Sequence, residues 1–192
     1  MISDMMAFYL LNKKLITEDE LPIYKYGLSA FVNSFSQIIL LFLLGLCYGV
    51  VSETVTFLLV FILTRRFTGG YHADTKLKCL LLGVFMWFIA TSMSRVSLSL
   101  NAILILYLVI VIFSVVITFK YAPVEHRNKP LSKSVYLQNK RFGRICASVC
   151  LVVGIIMYFI NASVSRTIMM TIFLVSILIL IGRRDCSEEH RR

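Results

Sequence analysis

The amino-acid sequence predicts an all-α polytopic membrane protein with about six transmembrane helices and an N-terminal amphipathic helix. Hydrophobic residues make up 58% of the 192 residues and charged residues 16%, whereas average globular proteins carry roughly 25% charged residues. A core of this size could not bury so much apolar surface, so the excess is expected to face lipid. The second observation is that the charges gather in segments between long apolar stretches.

Residues 1–27 are predicted to form an interfacial segment ahead of the first span. An apolar stripe at three-to-four spacing is formed by Met5, Met6, Phe8, Tyr9 and Leu15. Thr17 and Glu20 match a capping box, in which each side chain satisfies a free amide at a helix start. Such a segment would lead the chain into the membrane or, as an alternative, dock a peptide substrate.

Six apolar stretches then define a transmembrane domain predicted at 28–182; they are residues 28–46, 48–64, 79–94, 100–119, 146–161 and 167–182. A straight span needs about 20 residues, so the shorter stretches must borrow flanking residues. The first two make separate spans if a turn falls near residues 45–53. Four full spans plus two partial ones is therefore the alternative. Residues 183–192 are predicted to form a tail.

The positive charges predict the orientation of these spans. Eighteen of the 20 Lys and Arg residues lie before residue 28 or in segments 65–78, 120–144 and 183–192. With six spans these segments share one side, which the positive-inside rule assigns to the cytoplasm, with both termini. Because topology accounts for the net charge of +10, membrane lipids are expected partners and nucleic acid is not. A homodimer is also expected, since six short helices leave much surface to pair.

Residues 65–79 carry the candidate chemistry, because His72 lies seven residues before Cys79 in a basic loop. A cysteine nucleophile reacts as the thiolate, which a neighbouring imidazole and cations favour. On one continuous helix the two side chains would lie about 10.5 Å apart along the axis. That is too far for proton transfer, so the chain must fold back between them if they work as a pair. The alternative is that both residues are structural.

Nearby residues have supporting roles in this prediction. Gly69 and Gly70 give the backbone freedom for a turn before His72. Asp74 either caps the helix that carries Cys79, which we prefer, or orients the imidazole. No metal or organic cofactor is indicated, because the cysteines and histidines do not have ligand spacing.

The pattern Arg-Arg-x-x-Gly-Gly-x-His-Ala at residues 65–73, followed by Cys79, resembles the AgrB family of bacterial quorum-sensing membrane proteases. Tyr121-Ala-Pro and a basic run ending at Lys129-Pro130 give a second match, and the resemblance covers essentially the whole chain. It implies a multi-pass protein of a bacterial cell membrane. It also implies a thiol protease that cleaves an AgrD-like precursor peptide before its acidic C-terminal tail.

The resemblance further implies the roles of the site residues. Cys79 would attack the scissile bond and form a thioester, His72 would act as base and then acid, and the peptide would be released as a cyclic thiolactone. Arg65 and Gly70 match functionally sensitive positions, and Arg65 would either bind acidic substrate or orient the loop. Arg66 would bind substrate or anchor the helix end at lipid headgroups.

Two other function classes remain open at this stage. A peptide transporter or exporter without proteolytic activity should survive loss of Cys79, and the spans hold no central ionisable residue of the kind a proton relay uses. A structural or sensor subunit should tolerate loss of both His72 and Cys79. The basic loop 120–144 would contact an acidic peptide tail in the protease or would determine topology alone.

Overall fold

The computed structural model describes residues 2–71, 75–97, 99–124 and 132–189. Over these residues the protein is all-helical without a β-strand, as predicted, with seven helices: α1 (Ile2–Asn12), α2 (Leu21–Cys47), α3 (Val51–Thr68), α4 (Lys76–Arg95), α5 (Leu100–Tyr121), α6 (Lys133–Met157) and α7 (Ala162–Glu189). Helices α2 to α7 occupy the six predicted apolar stretches. The turn predicted near residues 45–53 is present at residues 48–50.

Within the described residues, α2, α4, α5 and α7 are long and apolar enough to cross a membrane, which makes this a multi-pass membrane protein. By length and composition, four such helices correspond to the predicted alternative of four full spans plus two partial ones. The other two helices are complete rather than short, but they carry charges. Glu53, Arg65 and Arg66 lie in α3, and the first half of α6 is basic.

The chain divides into two compact units, Met1–Leu44 and Gly45–Arg192. In the first unit, Met5 and Tyr9 of α1 are exposed, as an interfacial helix requires. The Thr17 N–H donates to the Glu20 carboxylate at 3.0 Å, which is one half of the predicted capping box. The helix itself begins at Leu21, later than a capping box at Thr17 would place it. The predicted boundaries of the transmembrane domain, before residue 28 and after residue 182, stay predictions.

In the second unit, α7 is the central helix and packs against α3, α4, α5 and α6. Met169 and Ile179 of α7 are fully buried. Several polar groups in the interior are hydrogen-bonded, as an environment without water favours. The Trp87 indole N–H donates to Thr54 at 2.9 Å, and the Thr171 hydroxyl donates to the carbonyl one turn before it.

The two ends of this second unit differ. At one end are the short turns that join α2 to α3, α4 to α5 and α6 to α7. At the other end, α3, α5 and α7 finish, and α4 and α6 begin. Among the described residues, the second end carries the basic residues near the ends of α3, α5 and α7 and at the starts of α4 and α6. The candidate site lies there.

Candidate active site

Helix α3 ends at Thr68 because the next two residues are glycines with positive φ angles. Gly69 has φ +65° and Gly70 has φ +119°, values that L-residues with a Cβ rarely adopt. The Gly69 N–H donates to the Arg65 carbonyl at 3.1 Å and closes the final turn. The predicted turn before His72 is therefore present.

These two glycines are also required for space. A Cβ on Gly69 would overlap the carbonyl oxygen of Val124, and one on Gly70 would lie 2.8 Å from the Arg65 guanidinium and 3.2 Å from the Leu178 carbonyl oxygen. Two of these three neighbours are backbone atoms, which can move only with the segments that carry them. The segment after α3 is thus enclosed by α3 itself, by α7 and by the residues that follow α5.

Arg65 binds the start of the loop directly. Its guanidinium donates to the Gly69 carbonyl at 3.5 Å and to the Tyr71 carbonyl. The side chain is half-buried and also lies over the Phe61 ring, 5.8 Å from its centroid. Two roles were predicted for Arg65, binding acidic substrate and orienting the loop. This geometry favours orienting the loop.

The charge of Arg65 is retained in this position. Arg65 follows the apolar part of α3, and burial lowers the pKa of its guanidinium to about 10, while nearby Cys79 acts in the opposite direction. A pKa near 10 leaves the group protonated at neutral pH. Because Cys79 affects the titration of Arg65, the two side chains lie within electrostatic range of each other.

Arg66 is placed differently. Its side chain is exposed and lies over the Phe67 ring, 5.8 Å from the centroid. Phe67 packs in turn on Phe142 of α6, with ring centroids 5.6 Å apart. Arg66 therefore faces outward from the α3–α6 contact, whereas Arg65 faces the loop.

Cys79 lies in the first turn of α4 and is half-buried. Its N–H donates to the Thr75 carbonyl at 3.1 Å. The N-cap of α4 is Thr75, whose hydroxyl accepts from the Lys78 N–H at 3.3 Å. Our preferred prediction that Asp74 caps this helix is therefore wrong by one residue: the residue with extended backbone and a correctly placed oxygen is the threonine.

His72 and Asp74 lie outside the residues that the structure describes, as do Lys129 and Pro130 of the second motif. The described chain reaches Tyr71 on one side of this gap and resumes at Thr75 on the other. The predicted pairing of His72 with Cys79 and the predicted role of Asp74 toward His72 therefore stay predictions.

The two motifs that carry the family resemblance are in contact. The Val124 N–H, directly after Tyr121-Ala-Pro, donates to the Thr68 carbonyl at 2.9 Å, and Gly69 and Val124 form a parallel bridge. Around this contact, Tyr121 lies beneath two cations, with Arg183 at 4.2 Å and Lys120 at 5.3 Å from the ring centroid. The basic loop that follows Val124 thus starts beside the start of the His72 loop.

Sequence reasoning missed the contribution of α7 to this region. The Tyr71 N–H donates to the Leu178 carbonyl at 3.0 Å, and the Gly70–Tyr71 backbone lies against Gly182. Leu178 gave no signal, because it is one apolar residue among many. The sequence did contain a signal at Gly182. A glycine inside a helix costs about 1 kcal/mol relative to alanine, so its presence there indicates a close approach by another part of the chain.

The described residues contain no group of three or more His, Cys, Asp or Glu side chains that could hold a metal ion. What they do contain is a half-buried cysteine at a helix start, electrostatically linked to an arginine that holds the preceding loop. Fold and site together define a class: a multi-pass helical membrane protein with a candidate active-site loop at the basic end of its helices.

Comparison with known proteins identifies the family of this chain. The family model described as Accessory gene regulator B matches residues 3–181. An AgrB-like protein of Clostridium perfringens (strain SM101 / Type A) is 27% identical over 79% of this chain and 75% of its own length. An AgrB-like protein of Clostridium beijerinckii is 30% identical, over 88% and 81% of the two chains. Accessory gene regulator protein B of Staphylococcus aureus (strain MRSA252) is 22% identical, over 92% and 91%.

The chain therefore belongs to the AgrB family, as its motifs predicted. Proteins of this family work with an AgrD precursor in the processing of the accessory gene regulator quorum-sensing peptide. No solved structure matches this chain.

Proposed function

We propose that this protein is a membrane cysteine endopeptidase that cleaves the C-terminal tail from an AgrD-like precursor and cyclises the remaining peptide to a thiolactone. The observation that carries the proposal is the position of Arg65. Its guanidinium holds two carbonyls at the start of the His72 loop and lies within electrostatic range of Cys79. A charged, half-buried side chain that binds the loop and lies near the thiol is suited to keeping the two in register.

In the first step, the Cys79 sulfur attacks the carbonyl carbon of the scissile peptide bond, and His72 takes the thiol proton. The carbon–nitrogen bond then breaks, and the departing amine receives that proton from His72. The precursor's C-terminal tail leaves, and the rest of the peptide stays on Cys79 as a thioester. Arg65 acts as a positioning residue in this step.

In the second step, a cysteine thiol within the bound peptide attacks the thioester carbonyl. Its proton passes through His72 to the departing Cys79 sulfur, which regenerates the enzyme, and the peptide closes into a thiolactone. One thioester replaces another, so no water is consumed. Success depends on excluding water and holding the internal thiol close to the thioester.

The charge distribution supports an acidic-tailed substrate approaching from the cytoplasm. Val124, in the basic loop 120–144, is hydrogen-bonded to Thr68 at the end of α3. An acidic tail attracted to that loop would arrive next to the proposed nucleophile. The same basic end would contact anionic lipid headgroups, and a homodimer would pair the exposed apolar helix surfaces.

A cleavage assay in liposomes with the acidic-tailed precursor peptide tests this function. Mass spectrometry of the wild type is expected to show the released tail, the cyclic product and an acyl adduct on Cys79. Cys79→Ser and His72→Ala are each expected to release no tail. Cys146→Ala is the matched control, because this thiol is also half-buried but lies within α6.

Tail release by Cys79→Ser at the wild-type rate would contradict the proposal. Peptide transport into or out of liposomes that persists in Cys79→Ser, with no cleavage by the wild type, would instead establish the alternative of a transporter or exporter.

A further inference from the structure

Near its end, α7 contacts the candidate active-site loop through the Leu178 carbonyl and through Gly182. We propose that Gly182 is a positioning residue: its missing side chain lets the Gly70–Tyr71 backbone lie against α7 and so fixes the direction in which the chain leaves toward His72. This inference rests on the proposed catalytic roles of His72 and Cys79.

Two contacts on one face of α7 carry the inference. The Leu178 carbonyl accepts from the Tyr71 N–H at 3.0 Å. One helical turn later, a Cβ on Gly182 would lie 2.5 Å from the Tyr71 nitrogen and 2.7 Å from the Gly70 carbonyl carbon. Residues four apart share a helix face, so the loop is hydrogen-bonded to one turn and packed on the next.

Two other helical glycines, Gly143 and Gly154 of α6, do not make such a contact. A Cβ on Gly143 of α6 would lie 3.4 Å from the Thr68 methyl group and 3.5 Å from the Phe67 backbone, which is ordinary van der Waals distance. A Cβ on Gly154 would come closest to the Met169 sulfur, at 2.9 Å, on a flexible side chain that can turn away. At Gly182 the opposing atoms are backbone, so the loop itself must move.

The loop is held from the other side as well, which makes its position sensitive to α7. Arg65 donates to the Gly69 and Tyr71 carbonyls, and Gly69 is in contact with Val124. A loop pushed off Gly182 while these contacts hold must change its path just before His72. A misplacement of about 1 Å between reacting groups can lower a rate about 100-fold.

The test compares Gly182→Ala with Gly143→Ala, both in full-length protein in liposomes with the acidic-tailed precursor. We expect Gly182→Ala to lower kcat about 100-fold with little change in KM, because reacting groups rather than substrate contacts are displaced. Hydrogen–deuterium exchange at the Tyr71 amide should also become faster, because its bond to the Leu178 carbonyl is lost. Gly143→Ala should resemble the wild type in both measurements.

Wild-type kcat in Gly182→Ala would overturn the inference, and so would a fall in kcat without faster Tyr71 exchange. The exchange measurement does not depend on catalysis, so it is separate from the proposed function. Tail release by Cys79→Ser would reject the protease mechanism, whereas unchanged Tyr71 exchange in Gly182→Ala would reject the role of Gly182.

A second pair of variants approaches the same contact from the loop, should Gly182→Ala not fold. Tyr71→Pro removes the N–H that binds the Leu178 carbonyl, and Tyr71→Ala removes the same ring but keeps the N–H. We expect Tyr71→Pro to have a much lower kcat than Tyr71→Ala. Equal kcat values in the two variants would overturn the inference.

Discussion

The two glycine turns that flank α3 share a positive φ angle but have very different surroundings. Gly49 before the helix and Gly69 after it both have φ +65°. A Cβ on Gly49 would meet nothing within 4 Å, whereas one on Gly69 would overlap the Val124 carbonyl oxygen. Gly49 therefore lies in a turn with space around it, whereas Gly69 lies in a turn that tertiary contacts enclose.

A related difference appears in the arginines at the two ends of the unit Gly45–Arg192, whereas the helix caps at these ends are alike. Arg95 donates to the Tyr48 carbonyl of the local turn at 2.6 Å, whereas Arg65 donates to two carbonyls of the loop that leads to His72. Ser99 caps α5 as Thr75 caps α4. The end with Gly49 and Arg95 joins helices, whereas the end with Gly69 and Arg65 also holds a loop in position. Matched substitutions at the two ends therefore separate effects on stability from effects on the cleavage rate.

The largest difference is expected between Gly69→Ala and Gly49→Ala. Both introduce a Cβ at positive φ, with a strain of roughly 1–2 kcal/mol in the free energy of unfolding. Gly69→Ala must in addition displace Val124 or the loop, so we expect the cleavage rate to fall about 100-fold, while Gly49→Ala keeps the wild-type rate. Thermal unfolding in detergent and the precursor-cleavage assay measure the two effects.

Equal cleavage rates in Gly69→Ala and Gly49→Ala would show that the contact with Val124 has no functional consequence. The expected pattern is a loss of stability in both variants, larger in Gly69→Ala because of the overlap with Val124, and a slower cleavage rate in Gly69→Ala alone.

A smaller difference is expected between Arg65→Lys and Arg95→Lys. A lysine ammonium lacks the planar fork with which Arg65 reaches the Gly69 and Tyr71 carbonyls together. Loss of one charge-assisted hydrogen bond of about 1.5 kcal/mol corresponds to about a tenfold lower cleavage rate if it orients the loop. Arg95→Lys should change the cleavage rate little, because Arg95 binds a turn at the opposite end.

The steady-state kinetics of these two lysine variants also distinguish the roles predicted for Arg65. A fall in kcat identifies an orienting residue, whereas a rise in KM with unchanged kcat would identify a substrate-binding residue and contradict our interpretation.

The smallest difference is expected between Thr75→Ala and Ser99→Ala. Each removes an N-cap oxygen that accepts from the third residue of its helix, at 3.3 Å and 3.4 Å, and each should lower the free energy of unfolding by about 1 kcal/mol. Fraying of α4 moves Cys79, so Thr75→Ala should also slow cleavage roughly fivefold, the rate equivalent of about 1 kcal/mol. Ser99→Ala should not.

Urea or thermal unfolding in micelles and the cleavage assay together test this pair. A larger rate effect in Ser99→Ala than in Thr75→Ala would contradict the assignment of the active site to the start of α4.

Most of the fold could be predicted because its signals are local in sequence. Apolar length and composition identified α2 to α7, and the clustering of Lys and Arg predicted that the ends of α3, α5 and α7 lie together. The predicted helix ends were less accurate, because α6 begins at Lys133, thirteen residues before the apolar stretch at 146–161. Its basic first half is helical because packing stabilises it, which hydropathy does not report.

The cap of α4 was misplaced for a related reason. Asp74 and Thr75 are both good N-cap residues, so composition does not separate them. The backbone conformation at residue 75 does, because it is extended there and directs the threonine oxygen to the Lys78 N–H.

By itself, the sequence determined the membrane class, the helices, the basic end and the motif that contains His72 and Cys79, since each depends on residue types at short spacing. Tertiary structure alone decided which distant residues surround that motif. Val124 lies 55 residues after Gly69, and Leu178 lies more than 100 residues after Tyr71. Their contacts use backbone atoms, which every residue type offers equally, so no residue pattern could identify them before the helices were packed.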